Sequence, residues 1–178
     1  MRLFIAVLLD DSIKDALMKE IGWLKTQSVQ GNFTRRENLH LTLAFLGETD
    51  KLSQVKKAME QVKSGSMSLC LGKQGMFGGR DGDLFWRGLK PNPPLEQLQK
   101  DLCRHLEEQG FSLERRKFVP HLTLGRRVIL SPQADRSDCP CLNGQMKVKK
   151  ISLMKSERVG GKLVYTEIFS RQLEETQS

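Results

Sequence analysis

The sequence has few of the residues that metal sites and disulfide frameworks need. Only three histidines and four cysteines occur among 178 residues. Cys139 and Cys141 form the one close cysteine pair, and neither a second pair nor a nearby histidine completes a zinc-binding pattern. No acidic cluster at ligand spacing surrounds the histidines. We therefore expect free thiols, no metal site and no cofactor.

Long hydrophobic runs are also missing. No segment approaches the roughly 18 apolar residues that a transmembrane helix needs. The N-terminal run in MRLFIAVLLDD is too short for a signal peptide, and Asp10 and Asp11 follow it at once. These features predict a cytoplasmic protein without a membrane partner.

What is present fits one globular protein. Apolar residues make up 38% of the chain and charged residues 28%, which excludes a disordered protein. A net charge of +8 suits a polyanionic partner such as a nucleic acid. No linker is long enough to separate two independent units, so we expect residues 1–178 to form a single domain of two intertwined lobes.

The chain repeats itself. The sequence His-Leu-Thr-Leu occurs at residues 40–43 and again at 121–124. The same number of residues separates Leu3-Phe4 from Leu84-Phe85. Each half therefore reads as a strand, an amphipathic helix and a His-Leu-Thr-Leu strand. Two copies are too few for a solenoid, so the repeat predicts a pseudo-twofold pair of lobes, which favours a monomer.

Helix signals support this order. In the first half, Ser12 and Asp15 have the spacing of a capping box and predict a helix that starts near Ser12. In the second half, Pro93-Pro94 can open a helix and Gly110 can end it. A further helix is predicted between Leu52 and Val62, after the first motif.

The repeated motif places polar side chains on one face of a strand. Because alternate residues of a strand point to opposite faces, His40 and Thr42 share one face and the leucines share the other. The same holds for His121 and Thr123. If the two faces meet across a pseudo-twofold axis, one imidazole can deprotonate water while the other protonates a leaving oxygen. The threonine hydroxyls can bind phosphate oxygens. His105 stands in a helical pattern without such a threonine and is predicted to be structural.

Three other side chains are candidates for substrate binding. Arg126 lies just beyond the second motif, and its guanidinium matches phosphate oxygens. Phe45 and Trp86 adjoin predicted central strands, where each can stack on a base or pack in the core. The other basic residues near the motifs, such as Arg115, are interpreted as solvated.

These segments together resemble a known family. RLFIAVLLDD, NLHLTLAFLGE, VPHLTLGR and LVYTEIFSRQL are similar to the 2H phosphoesterase superfamily, in particular to LigT-type RNA 2′,3′-cyclic phosphodiesterases. The resemblance covers essentially the whole chain. It implies an α+β fold with two lobes, in which antiparallel sheets flank a central cleft and helices pack outside.

The resemblance also implies a reaction. Family members hydrolyse a 2′,3′-cyclic phosphate at an RNA end to a 2′-phosphomonoester without a metal, and some show 2′-5′ RNA ligase behaviour. His40 would be the proton donor and His121 the proton acceptor, although a pseudo-symmetric site permits either polarity. Two alternatives stay open: a phosphodiesterase for 2′-5′-linked or small cyclic nucleotides, and a module that binds RNA ends without turnover.

Overall fold

A computed structural model describes residues 1–175, so the last three residues of the predicted domain lie outside the described part. The helices are α1 (Asp11–Thr26), α2 (Leu52–Gln61) and α3 (Pro93–Glu108). None of the helices within residues 1–175 is long and apolar enough to cross a membrane. The strands are β1 (Arg2–Leu8), β2 (Ser28–Phe33), β3 (His40–Glu48), β4 (Met67–Phe77), β5 (Asp83–Leu89), β6 (His121–Leu130), β7 (Gln145–Val148), β8 (Lys150–Val159) and β9 (Lys162–Gln172).

The strands form two antiparallel sheets. The first sheet has four strands in the order β3-β1-β8-β9, and the second has five in the order β2-β6-β5-β4-β7. Each motif strand pairs with the strand that precedes its helix: β3 with β1, and β6 with β5. The expected α+β architecture with two lobes is therefore confirmed.

The two halves of the chain exchange strands. β8 comes from the end of the chain but pairs with β1, and β4 comes from the first half but pairs with β5. Neither half can therefore complete its sheet without the other. This exchange explains the absence of any linker in the sequence.

The helices begin and end where local chemistry allows. α1 begins one residue before Ser12, because the Asp10 side chain accepts a hydrogen bond from the Ile13 N–H and caps the helix. The predicted Ser12–Asp15 capping box is therefore wrong. α3 begins at Pro93 as expected, and Gly110 follows it with a φ of +84°, the left-handed conformation that glycine adopts easily.

One hydrophobic core connects the helices to both sheets. Its α1 face consists of Ile13, Leu17, Ile21 and Leu24, and all four are fully buried. The leucines of both motifs belong to the same core: Leu41, Leu43, Leu122 and Leu124. The core therefore lies on one side of each motif strand and leaves the other side free for the cleft.

The strand pairing corrects one detail of the sequence repeat. Thr42 lies opposite Ala6, and the equivalent Thr123 lies opposite Trp86. The sequence offset between equivalent residues of β1 and β5 is therefore one residue shorter than the offset between the two motifs. The match between Leu3-Phe4 and Leu84-Phe85 is not a structural equivalence: Phe4 faces His40, whereas Phe85 is buried in the core.

A buried ion pair crosses the core. The Glu20 carboxylate on α1 accepts a 2.8 Å hydrogen bond from Arg87 Nε on β5, and Arg87 Nη2 lies 2.7 Å from Glu20 Oε1. Gln74 Nε2 donates to the same carboxylate at 2.6 Å. The side chain of Glu20 is 0% exposed and that of Arg87 7%. The pair ties α1 to the second sheet.

Because removal of one partner leaves a buried charge uncompensated, we expect Glu20→Gln and Arg87→Met each to lower the free energy of unfolding by about 3–5 kcal/mol. The double variant Glu20→Gln/Arg87→Met should lose less stability than the sum of the losses in the two single variants. Urea denaturation measures all three. Arg104→Met, which removes exposed ion pairs on α3, is the control and should change little. If Glu20→Gln lowers the free energy of unfolding no more than this control does, the stabilising role of the buried ion pair is contradicted.

Candidate active site

The two motif strands approach each other between the sheets. On β3, Leu41 is fully buried, whereas His40 and Thr42 are partly exposed. On β6, His121 and Thr123 are likewise partly exposed between buried leucines. The alternation expected from the sequence is therefore present in both strands, and it turns all four polar side chains toward the cleft.

A small cavity lies where the motifs meet. Its volume is about 70 Å³, which leaves room for several water molecules or for a small polar group. Six predicted residues line it: His40, Thr42, Phe45, His121, Thr123 and Arg126. Three further lining residues are Thr34, Asn38 and Tyr165.

The main chain orients both imidazoles in the same way. His40 Nδ1 lies 2.7 Å from the Asn38 carbonyl, and His121 Nδ1 lies 2.8 Å from the Val119 carbonyl. A carbonyl only accepts, so each Nδ1 carries the proton that it donates. Each Nε2 is therefore the nitrogen that can exchange a proton with a ligand. His40 Nε2 also lies 2.9 Å from Thr42 Oγ1, which can donate to it.

The two histidines differ in their surroundings. His40 is packed between Phe4 and Tyr165, with ring centroids 4.9 and 5.2 Å away. Burial lowers the pKa of His40 below its ordinary value of 6.5, and the positive charges of Arg126 and His121 lower it further. The hydrogen bond to the Asn38 carbonyl raises the same pKa and offsets part of this. The neutral imidazole of His40 is therefore favoured while the cleft holds no anion.

A β-bulge occurs at the same place in both motif strands, and it explains why Arg126 reaches the cavity. In β1 the consecutive residues Ala6 and Ile5 lie opposite Thr42 and Ala44. Leu43 has no partner in β1 and is therefore an extra residue in β3. Trp86 and Phe85 lie opposite Thr123 and Gly125, so Leu124 is extra in β6.

Each bulge places two consecutive residues against the core and reverses the alternation that follows. As a result the next residues, Phe45 and Arg126, return to the cleft side. Without the bulge, Arg126 would share a face with Leu122 and Leu124.

Other predicted residues lie elsewhere. Trp86 does not line the cavity, but its ring centroid is 6.3 Å from that of His121. Phe45 is not a core residue, since 62% of it is exposed. His105 is buried on α3, where its Nδ1 lies 3.0 Å from Glu108 Oε2, as a structural role predicts.

Sequence reasoning missed Thr34, Asn38 and Tyr165, which all line the cavity. Asn38 is buried and donates from Nδ2 to the Leu163 carbonyl at 3.0 Å, which ties the segment before His40 to β9. Tyr165 also lies on β9, and its ring meets His40 edge-on at 90°. It is the one tyrosine in the sequence, a signal that could have drawn attention to it. Burial raises the pKa of Tyr165, so its hydroxyl stays protonated and can donate to a ligand.

Known proteins share this sequence pattern. A family model for the 2′-5′ RNA ligase superfamily matches residues 11–160. The RNA 2′,3′-cyclic phosphodiesterase of Thermotoga maritima is 34% identical over 131 residues, which cover 71% of this chain and 70% of that protein. The protein of the same name from Geobacillus stearothermophilus is 34% identical over 162 residues and 86% of this chain. The chain spans about half of that relative, 51% of its length.

Solved structures share the fold. Apo LigT of Escherichia coli superposes with a TM-score of 0.81 at 26% identity, over 98% of each chain. LigT complexed with 3′-AMP superposes with a TM-score of 0.81 over 97% of each chain. With the paired motifs facing one cavity, these matches show that the chain belongs to the 2′-5′ RNA ligase superfamily.

Proposed function

We propose that this protein hydrolyses 2′,3′-cyclic phosphates at RNA ends to 2′-phosphomonoesters, as an enzyme that needs no metal. The observation that carries the proposal is one cavity lined by two imidazoles, two threonines and an arginine. The names of the relatives and the 3′-AMP complex of LigT support an RNA-terminal substrate. The excess of basic residues is in keeping with a polyanionic substrate.

The reaction uses the Nε2 atoms of the two histidines. His121 accepts a proton from water as the water oxygen bonds to phosphorus, and the bond between phosphorus and O3′ breaks. His40 donates its proton to O3′, so the product carries a 2′-phosphate and a free 3′-hydroxyl. Thr42 and Thr123 donate to the non-bridging oxygens, where negative charge accumulates in the transition state. Arg126 compensates this charge.

Binding of the substrate prepares His40 for the donor role. Burial disfavours the imidazolium in the free enzyme, but the negative charge of a cyclic phosphate next to Nε2 favours it. The donor is therefore charged when the substrate is present. Phe45, which is exposed at the rim of the cavity, offers its ring to the terminal base.

We infer a cytoplasmic monomer whose described lobes act as one catalytic domain. The cavity draws residues from both halves of the chain, so neither half can provide the site alone. The four cysteines are free thiols, in keeping with a reducing compartment. The internal pair of lobes supplies the symmetry that a dimer would otherwise provide.

Replacement of either histidine should remove acid–base catalysis. We expect His40→Ala and His121→Ala each to lower kcat about 10²–10⁴-fold on an RNA with a 2′,3′-cyclic end, assayed with EDTA present. The rate of the wild-type enzyme should follow a bell-shaped curve with pH, because one histidine must be charged and the other neutral.

His105→Gln is the matched control, because this third histidine lies on α3 outside the cavity, and its activity should stay within a few-fold of wild type. Unchanged activity in either alanine variant, or a flat profile from about pH 5 to 9, would contradict the mechanism. The same assay with 2′-5′-linked oligoadenylate and cAMP tests the alternative substrates. Binding of the cyclic end without turnover would favour a binding module.

Because the charge of Arg126 lowers the pKa of His40, its removal should raise that pKa. We expect Arg126→Gln to move the His40 titration to higher pH, and added 3′-AMP to move it upward in the wild-type protein. NMR titration of the imidazole Cε1–H signals measures both shifts. Arg115→Gln is the control, because Arg115 is not among the charges that act on His40. A His40 pKa that is unchanged or lower in Arg126→Gln would rule out the proposed electrostatic coupling.

A further inference from the structure

The second sheet leaves an aromatic surface open beside His121. Residues directly opposite in antiparallel strands share a face. Phe77 lies opposite Leu84, and Gly75 lies opposite Trp86, which in turn lies opposite Thr123. Phe77 and Trp86 therefore face the cleft together with Thr123. We call Gly75, Phe77, Leu84 and Trp86 the open face.

The same face of the first sheet is closed. The strand pairing makes Phe4 the counterpart of Leu84 and Met154 the counterpart of Phe77. Phe4 is 3% exposed and Met154 5%, whereas Phe77 is 41% exposed.

The difference follows from strand length. β9 has 11 residues and carries Tyr165 onto Phe4, with ring centroids 4.9 Å apart. β7 has only four residues and pairs with β4 from Met67 to Cys70, so it ends well before Phe77.

Two glycines shape the open face. A side chain at Gly75 would collide with the six-membered ring of Trp86, and one at Gly88 would come within 3.1 Å of the same ring. Because neither glycine has a side chain, the indole can lie flat across β4 and β5. Phe77 packs against this indole with a centroid distance of 5.2 Å, and its ring is edge-on to His121 at 5.5 Å. The result is an apolar shelf that starts at the second motif.

We propose that the open face binds the base of the nucleotide that precedes the cyclic-phosphate nucleoside, with Phe77 as the stacking residue and Trp86 as its support. This inference rests on the proposed function. The polar side chains that line the cavity suit the phosphate, so we expect the bases to bind on the surfaces next to it. Two aromatic side chains flank it: Phe45 lines the cavity on the first sheet, and Phe77 lies against His121 on the second. The terminal base can bind at one of these rings, and the preceding base binds at the other.

Charge favours a nucleotide over an apolar partner on this face. Arg126 and Arg127 are both exposed on β6, next to the strand that carries Leu84 and Trp86. Within residues 1–175 neither guanidinium forms an ion pair. Their charges give this side of the cleft a positive potential, which favours a polyanionic chain over an apolar partner. An exposed aromatic on a sheet beside arginines is a common arrangement for binding single-stranded RNA.

The test compares two substrates that differ by one nucleotide: adenosine 2′,3′-cyclic phosphate and the dinucleotide ApA with the same cyclic end. For the wild-type enzyme we expect kcat/KM to be about tenfold higher on the dinucleotide, the gain expected from one stacked base. In Phe77→Ala the ratio of the two kcat/KM values should fall to near one. Phe77→Tyr keeps an aromatic ring and should restore the ratio.

Controls separate stacking from other effects. Met76→Ala removes the neighbouring exposed side chain of β4 and should leave the ratio at the wild-type value. A Phe77→Ala variant that loses activity equally on both substrates would overturn the inference, because Phe77 would then only position His121. A wild-type ratio near one would overturn it as well.

A binding measurement decides the inference even if the proposed function fails. Calorimetric titration with 3′-AMP and with ApA carrying a 3′-phosphate should show about tenfold tighter binding of the dinucleotide, lost in Phe77→Ala. If neither cyclic substrate is hydrolysed but this preference is present, the activity is wrong and the base site stands. If hydrolysis occurs and the preference is absent from both turnover and binding, the activity stands and the base site is wrong.

Discussion

The extra residue in each motif strand is the constraint on which the site depends. Leu43 and Leu124 each interrupt the regular alternation, so that two consecutive residues pack against the core. His40 and Thr42 then face the cleft before the bulge, and Phe45 faces it afterwards; His121, Thr123 and Arg126 repeat this arrangement. The bulges are held by burial on one side of each strand, because a slip by one residue would move leucines into the cleft. The geometry of the candidate site is thus stabilised by the same contacts that form the core.

The exchange of strands between the halves makes the cleft asymmetric, and the proposed acid–base chemistry requires such an asymmetry. Two equivalent histidines alone would give no reason for one to donate and the other to accept. β9 is long enough to bring Tyr165 over His40, whereas β7 is short and leaves His121 beside the open face. Burial lowers the pKa of His40 below its ordinary value. The repeat therefore supplies a matched pair of groups, and the unequal strands distinguish them.

Much of the fold was predictable because its signals are local. The stripes of α1 and α3, Pro93 at a helix start and Gly110 after a helix end all reflect interactions within a few residues. β2 and β7 were not predicted, since their partners lie far away in sequence and their exposed residues blur the alternation. The Asp10 cap was missed because Ser12 and Asp15 offered a competing pattern. The Leu3-Phe4 match was misleading because the strand register, which no local signal reports, differs by one residue.

By itself the sequence determined the two His-x-Thr faces, their equivalence and the family, because strand alternation and a repeated motif depend only on residue order. It also singled out Arg126 by type and proximity. Only the tertiary structure decided that Arg126 faces the cavity, that Tyr165 and Asn38 join it, and that Trp86 lies beside it rather than within it. These facts depend on a bulge, on the lengths of β7 and β9, and on the long-range pairing of β8 with β1. Such pairings form between residues more than a hundred positions apart, where local propensity carries no information.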